Sequence, residues 1–461
     1  MSTLRLASGP DGPAALRPLI ATVLHALEDG GRARGGPLPA GGPHTTTRRL
    51  RDAAGDILPP HGHPDALHTL VHALAEGAAD PAHPHCAAHL HCPPLAVATA
   101  ADLAASALNP SLDSWDQAPA ASALETLVTD TLAAEIYPHT PIDGTPPPDA
   151  LITTGGTEAN QLALLLARET HGPVQLVCGA AAHHSLHRAT WLLGLPTPIT
   201  LPTPTGTLDP TALHHTLTRL HGTPLLVAAT AGTTDAGHID PLPEIADLTT
   251  HHGARLHIDA AYGGALLLSE RHRPLLTGLD RAHTVTLDLH KLGWQPIAAG
   301  LLAARDPHDL HPLRHHTDYL NADDDTHAGL PDLLGRSPRT TRRADVLKIA
   351  VTLKTLGRTG LAALIDQVCA AAQHLATLVE AHPRLELHAP PTISTVLFRP
   401  TGAPDTTVAH LRRTLLHEGR AVLGRATLDN RLWLKATLLN PHTRPADLAA
   451  LLDLVEGHTP R

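Results

Sequence analysis

The chain is poor in aromatic residues, in cysteine and, most tellingly, in lysine. Phe, Trp and Tyr together make up 2% of its 461 residues, so Leu, Ala and Val have to fill the core. Cys86, Cys92, Cys178 and Cys369 are too few and too scattered for a disulfide scaffold. No apolar run reaches membrane-spanning length, and the N-terminus lacks the basic-then-apolar pattern of a signal peptide. A formal charge of −10 argues against nucleic acid and against a basic membrane-surface patch. The composition thus leads us to expect a soluble, cytoplasmic protein, with no nucleic-acid or membrane partner.

Only four lysines occur, Lys291, Lys348, Lys354 and Lys435, although Lys and Arg together number 34. A guanidinium stays protonated and forms no imine, whereas a lysine amine can. Lys291 follows a His at the end of an apolar, strand-like run within Thr-Val-Thr-Leu-Asp-Leu-His-Lys-Leu-Gly-Trp-Gln-Pro, residues 284–296. It is therefore a candidate Schiff-base lysine, with a structural lysine as the alternative.

What the chain has in excess is histidine, 37 residues, beside 43 prolines and 35 glycines. His83, His85, Cys86, His89, His91 and Cys92 imitate ligand spacing. They lack the compact Cys-x-x-Cys knuckle of zinc sites, so no metal is expected. Up to about residue 95 the pattern is helical (14–27 and 65–76), interrupted by a loop-forming run at 30–43. Helices at 96–108 and 121–136 follow, separated by a polar and aromatic segment, 109–119, of the kind that lines a site or an interface. From 150 onward, short β-like runs at 150–153, 174–177, 225–230, 255–259, 285–288 and 300–303 alternate with helices. That alternation predicts an α/β domain with a mostly parallel central sheet. Helices at 346–356 and 362–381, strands at 395–399 and 432–436, and a last helix at 447–455 suggest a small α+β domain. The expected division is an N-terminal helical segment (1–95), a large domain (96–345) and a C-terminal small domain (346–461).

In a parallel sheet, ligands sit beyond the carboxyl ends of the strands, and these ends carry the chemistry. Thr153-Thr-Gly-Gly-Thr-Glu-Ala-Asn160 opens a helix after a strand, where backbone N–H groups and the helix dipole favour a phosphate. It is neither a Walker loop nor a dinucleotide fingerprint. His183, after the next run, offers an imidazole that could stack on a flat ring or simply face solvent. Ala229-Thr-Ala-Gly-Thr-Thr234 adds hydroxyls to the rim. Asp259 ends an apolar run and needs a cationic or hydrogen-bonding partner; a protonated pyridine nitrogen would serve. Ala261 is small enough to leave room for a flat group. Phosphate cradle, stacking ring, pyridinium partner and imine-forming lysine are together what pyridoxal 5′-phosphate (PLP) demands.

These motifs resemble the group II PLP-dependent amino-acid decarboxylases of fold type I (aspartate aminotransferase-like), from about residue 80 to the C-terminus. The residues that carry the likeness are Thr-Gly-Gly-Thr-Glu-Ala-Asn (154–160), His-His-Ser (183–185), Gly-Thr-Thr (232–234), His-Ile-Asp-Ala-Ala-Tyr-Gly-Gly (257–264) and Asp-Leu-His-Lys (288–291). Within that family the chain is most similar to the lysine and 2,4-diaminobutyrate branch. That narrower likeness rests on His-Leu-His-Cys-Pro (89–93), Ser-Leu-Asp-Ser-Trp-Asp-Gln (111–117), Asp-Tyr-Leu-Asn (318–321) and Thr-Thr-Arg-Arg (340–343) with Leu347-Lys348. The resemblance implies that Lys291 carries the cofactor as an imine, His183 stacks on it, Asp259 pairs with the pyridine nitrogen and Ala261 packs beneath the ring. It further implies that Gly156, Thr157 and His290 hold the phosphate with Thr234 nearby, and that the protein is a homodimer with active sites at the interface. The implied reaction is decarboxylation of an L-amino acid, a diamino acid such as lysine, ornithine or 2,4-diaminobutyrate, to its amine and CO₂.

Two departures stand out. Aromatic-amino-acid decarboxylases carry a tyrosine in a mobile loop, and here there is none between Leu320 and Thr341, although Tyr319 precedes it. This leaves open decarboxylation of a neutral or aromatic amino acid, an oxidative route to an aldehyde, or a non-catalytic scaffold. Asp288 occupies a place where relatives have a phosphate-contacting hydroxyl or amide, so its carboxylate is expected to turn away from the anion. Asp113 and Asp116 are candidates to meet a distal ammonium, with solvated surface acids as the alternative.

Overall fold

The computed structural model describes residues 5–138 and 146–459. Two compact units emerge, one formed by residues 94–367 and the other by 1–93 with 368–461. The segment 346–367, assigned from sequence to the small domain, lies in the first unit. A single long helix, Val346–Ala381, carries the chain from one unit to the other.

The larger unit is built on a seven-stranded sheet. Its strands are β1 (Asp149–Thr153), β2 (Gln175–Gly179), β3 (Ile199–Leu201), β4 (Leu225–Thr230), β5 (Arg255–Asp259), β6 (Thr284–Asp288) and β7 (Gly300–Ala304). Their order is β1-β7-β6-β5-β4-β2-β3, and β7 alone runs antiparallel to its neighbours. Every residue of β4, β6 and β7 is buried, as expected of strands covered on both faces. Helices pack against the sheet through Leu and Ala, for example Leu164, Ala167, Leu186 and Ala189 around Leu176 and Leu226. The scarcity of aromatics is met by many small, wholly buried aliphatics.

Because β1 and β6 flank β7 in the same direction, Thr153 and Asp288 both pair with Gly300. Thr230 pairs with Asp259, and Asp259 with Thr286. The register therefore gathers the carboxyl ends of β1, β6, β5 and β4 along one edge. The expected strands are all present; β3, in a Pro-rich stretch, is an addition to them.

The second unit has a five-stranded sheet of Cys86–Ala87, Val422–Leu428, Arg431–Thr437, Thr395–Pro400 and Leu385–Leu387, in that order. Its core joins Phe398, Leu434, Leu411 and Leu451 to Ala372, Leu375 and Val379 of the long helix. The long helix is apolar enough to pass for a membrane span, but here these residues are buried inside the unit. Among the described residues, no group of three or more His, Cys, Asp or Glu side chains could hold a metal ion.

Candidate active site

Lys291 sits in the turn between β6 and β7. Leu289 N–H donates to the Ala299 carbonyl (2.9 Å), Gln295 N–H to the Leu289 carbonyl (3.1 Å) and Trp294 N–H to the Lys291 carbonyl (3.3 Å). Trp294 is 1% exposed and takes a left-handed conformation, φ 51°, to close the turn, a strain that only a well-packed surround maintains. The Lys291 Nζ lies 2.9 Å from Asp288 Oδ2.

Asp288 does not turn away, as its charge had suggested it would. Its carboxylate is buried beside the Gly155–Gly156 turn, where a Cβ placed on Gly156 would lie 3.2 Å from Oδ2. The reason is local: Lys291, three residues on, folds back and supplies a cation. Asp288 Oδ1 has no hydrogen-bond partner. His290 Nε2 stands 3.5 Å from Oδ2, and burial pushes the His290 pKa below the usual imidazole range.

Gly155 and Gly156 open the Gly156–His171 helix, and both are buried. A Cβ on Gly156 would meet Ala261 Cβ at 3.0 Å, and one on Gly155, at φ 153°, would meet His290 Cε1 at 2.9 Å. Glycine is thus required for His290, Ala261 and Asp288 to approach the helix start. Thr157 is exposed in the first turn. Thr234 is exposed on the turn after β4.

Asp259, at the end of β5, is 4% exposed. Its Oδ1 accepts from Ala261 N–H (3.1 Å) and its Oδ2 from Asn160 Nδ2 (2.8 Å). His183 caps the His184–Leu192 helix, and its Nδ1 lies 2.8 Å from Ser185 Oγ. Burial lowers the His183 pKa, opposed in part by the nearby Asp259 charge. The structure thus brings Lys291, Asp288, His290, Gly156 and Ala261 together, with Asp259 linked to Ala261 and to the His183 pair through Asn160. It does not bring in Asp113 or Asp116. Asp113 is held by Gln117 Nε2 at 2.7 Å and Asp116 by Ser114 Oγ at 2.6 Å, contacts that shape their own turn.

A set of uncharged and neutral residues had gone unassigned in the sequence: Asn160, Ser185, His257, Thr284 and Thr286. All five are buried. The signal was nevertheless there. Asn160 is a polar residue one turn from Gly156 on an otherwise apolar helix face, and His257 precedes Asp259 by two, the strand period that puts both on one face.

The residues fit PLP. A buried carboxylate with both oxygens held by N–H donors can accept from a ring nitrogen. A helix start without side chains can take a phosphate, and an amine lies between them in the sheet order.

Comparison with known proteins agrees with the geometry. The profile described as "Pyridoxal-dependent decarboxylase conserved domain" matches residues 60–401. L-2,4-diaminobutyrate decarboxylase of Rhizobium meliloti is 41% identical over 408 residues, 85% of this chain and 80% of that protein. The crystal structure of the glutamate decarboxylase domain of diaminobutyrate-pyruvate transaminase and L-2,4-diaminobutyrate decarboxylase from Vibrio parahaemolyticus is 30% identical. It superposes with a TM-score of 0.85 over 98% of this chain and 97% of that one. Oryza sativa TDC, solved with PLP and tryptamine, has the same fold, with a TM-score of 0.88 at 23% identity, over 99% of each chain.

Proposed function

This chain belongs to the pyridoxal-dependent decarboxylase family, and on that premise we propose that its substrate is a diamino acid, with L-2,4-diaminobutyrate first among them. The cofactor is PLP and the reaction is loss of CO₂ from an amino acid. The diamino-acid reading is carried by the likeness to L-2,4-diaminobutyrate decarboxylase, which extends over most of both chains.

Bound PLP supplies an electron sink for the pair left behind when the Cα–carboxylate bond breaks. Gly156, Thr157 and His290 would hold its phosphate, with Thr234 on the rim, Ala261 and His183 would flank its ring, and Lys291 would attach it. Asp259 keeps an anion where a ring nitrogen needs to hold its proton. Burial of His183 keeps its imidazole neutral near pH 7, so it orients by hydrogen bonding and packing rather than by charge. A proton then replaces the lost carboxylate at the same carbon, and the product leaves as the amine.

The test is a product assay on the PLP-loaded enzyme with lysine, ornithine, 2,4-diaminobutyrate and a set of apolar and aromatic amino acids. The expected result is CO₂ with the matching amine, and the highest kcat/KM on 2,4-diaminobutyrate. Reaction only with apolar or aromatic amino acids would refute the substrate class. Aldehyde with ammonia in place of amine would refute the reaction. We also propose a homodimer, supported by the solvent-exposed apolar side chains of Trp191, Leu192 and Ile297 on the larger unit; light scattering should give twice 48.4 kDa, and a monomer would refute it.

A further inference from the structure

The hydrogen bonds around Asn160 have only one consistent set of donors and acceptors. An ionised carboxylate only accepts, so the atom 2.8 Å from Asp259 Oδ2 has to be the Asn160 amide nitrogen. That choice orients the whole amide. Its oxygen then faces Thr286 Oγ1 at 2.9 Å and His257 Nε2 at 3.0 Å, and both must donate to it. Burial drives the His257 pKa well down, so its ring is neutral and its Nδ1 accepts from Thr284 Oγ1 at 2.9 Å. The second amide hydrogen of Asn160 goes to Ser185 Oγ at 2.9 Å. Ser185, accepting there, has its own hydrogen free to donate to His183 Nδ1 at 2.8 Å, and the Ser185 N–H points at the same nitrogen from 3.3 Å. His183 Nδ1 is an acceptor twice over. The proton of the neutral ring is therefore on Nε2.

We propose that Asn160 is a positioning residue whose single amide orients the Asp259 carboxylate and, through Ser185, sets His183 as the Nε2–H tautomer. It rests on the roles given above to Asp259 and His183, since those are the groups it would position. The arrangement has a clear polarity: Thr284 to His257 to Asn160 to Asp259 on one branch, and Asn160 to Ser185 to His183 on the other. Every hydrogen on this path is donated once, with none left over to place on His183 Nδ1. Such a fully satisfied buried network holds its members in one state, because reversing any link would leave a buried polar atom without a partner.

The test uses PLP-loaded enzyme labelled with ¹⁵N-histidine, in which the His183 signals are identified by their loss in His183→Asn. Proton–nitrogen spectra of the wild type should show a bare Nδ1 and a protonated Nε2. Ser185→Ala and Asn160→Leu should both lose this signature and move His183 toward a mixture of tautomers. Only Asn160→Leu, which also strips a donor from Asp259, should shift the pH midpoint of the bound cofactor's visible band, by about one unit. A wild-type His183 with its proton on Nδ1 would overturn the proposal, as would an unchanged tautomer in both variants or an unmoved midpoint in Asn160→Leu. Should Asn160→Leu fail to fold, the wild-type tautomer and Ser185→Ala decide. The tautomer is read without turnover, so a protein that releases no CO₂ but shows it would sink the proposed reaction and leave the Asn160 relay standing.

Discussion

Lys291 and Asp288 form an ion pair that the cofactor has to break. The carboxylate is 3% exposed and the ammonium is its only ion-pair partner that is cationic irrespective of histidine protonation. A buried anion stripped of its cation is costly. Bonding Lys291 to PLP removes that cation and leaves Asp288 beside the glycine turn proposed for the phosphate. Asp288 should therefore oppose loading. Asp288→Asn keeps the shape and removes the charge, and PLP should bind about tenfold more tightly, equivalent to about 1.4 kcal/mol. Titration of the apo form, followed by visible absorbance, measures this; weaker binding would mean that Asp288 assists loading. Lys291→Ala should hold PLP without a bond that borohydride can fix and should lose activity by several orders of magnitude. A fixed chromophore in that variant would move the attachment to another lysine.

At the scale of the elements, the carboxyl ends of the strands were legible because short apolar runs punctuated by Gly and Pro leave little freedom of assignment. The span of β4 and β5 read from sequence is the span observed. Glycines were the hard residues, since the same letter serves a break or a close contact. Gly30 was taken to begin a loop, yet it lies inside the Gly12–Arg34 helix, because a Cβ there would come 2.5 Å from the His72 carbonyl of the neighbouring helix. Gly357 was read as a break, and its backbone is non-helical (φ 59°) within Val346–Ala381. Gly300 is the instructive case for the site. A Cβ on it would lie 2.5 Å from Gly155 Cα, so the first residue of β7 has to be bare for the helix start to reach the sheet. Gly300→Ala should cost about 1–3 kcal/mol of stability through overpacking, and PLP affinity should fall with it as Gly155 is pushed off the sheet. Thermal unfolding with and without PLP would check both, and unchanged PLP affinity would show that Gly155 can shift without harm to the site.

Over the whole molecule, what the sequence could not disclose is which buried groups face one another. Asn160, His257 and Thr286 belong to a helix and two strands, and only the register that sets His257 opposite Thr284 assembles them. The same burial makes stability depend on pH. His257 and His283 both have pKa values lowered by burial from 6.5 to about 4, and in the unfolded chain both regain the ordinary value. Between those limits the unfolded chain binds more protons than the folded one, so stability rises with pH in that window and is lost as pH falls from about 6.5 toward 4. At 1.36 kcal/mol per unit, each such histidine accounts for a loss on the order of 3 kcal/mol across the window. Urea unfolding of the protein at pH 7.5 and at pH 5 should show a clearly lower midpoint at pH 5. His283→Gln offers a side chain that does not titrate in place of one whose Nδ1 accepts from Leu256 N–H at 3.0 Å. It should be less stable than wild type at pH 7.5 but should lose less on going to pH 5. Equal losses in the two proteins would show that His283 is not one of the groups that make the fold acid-labile.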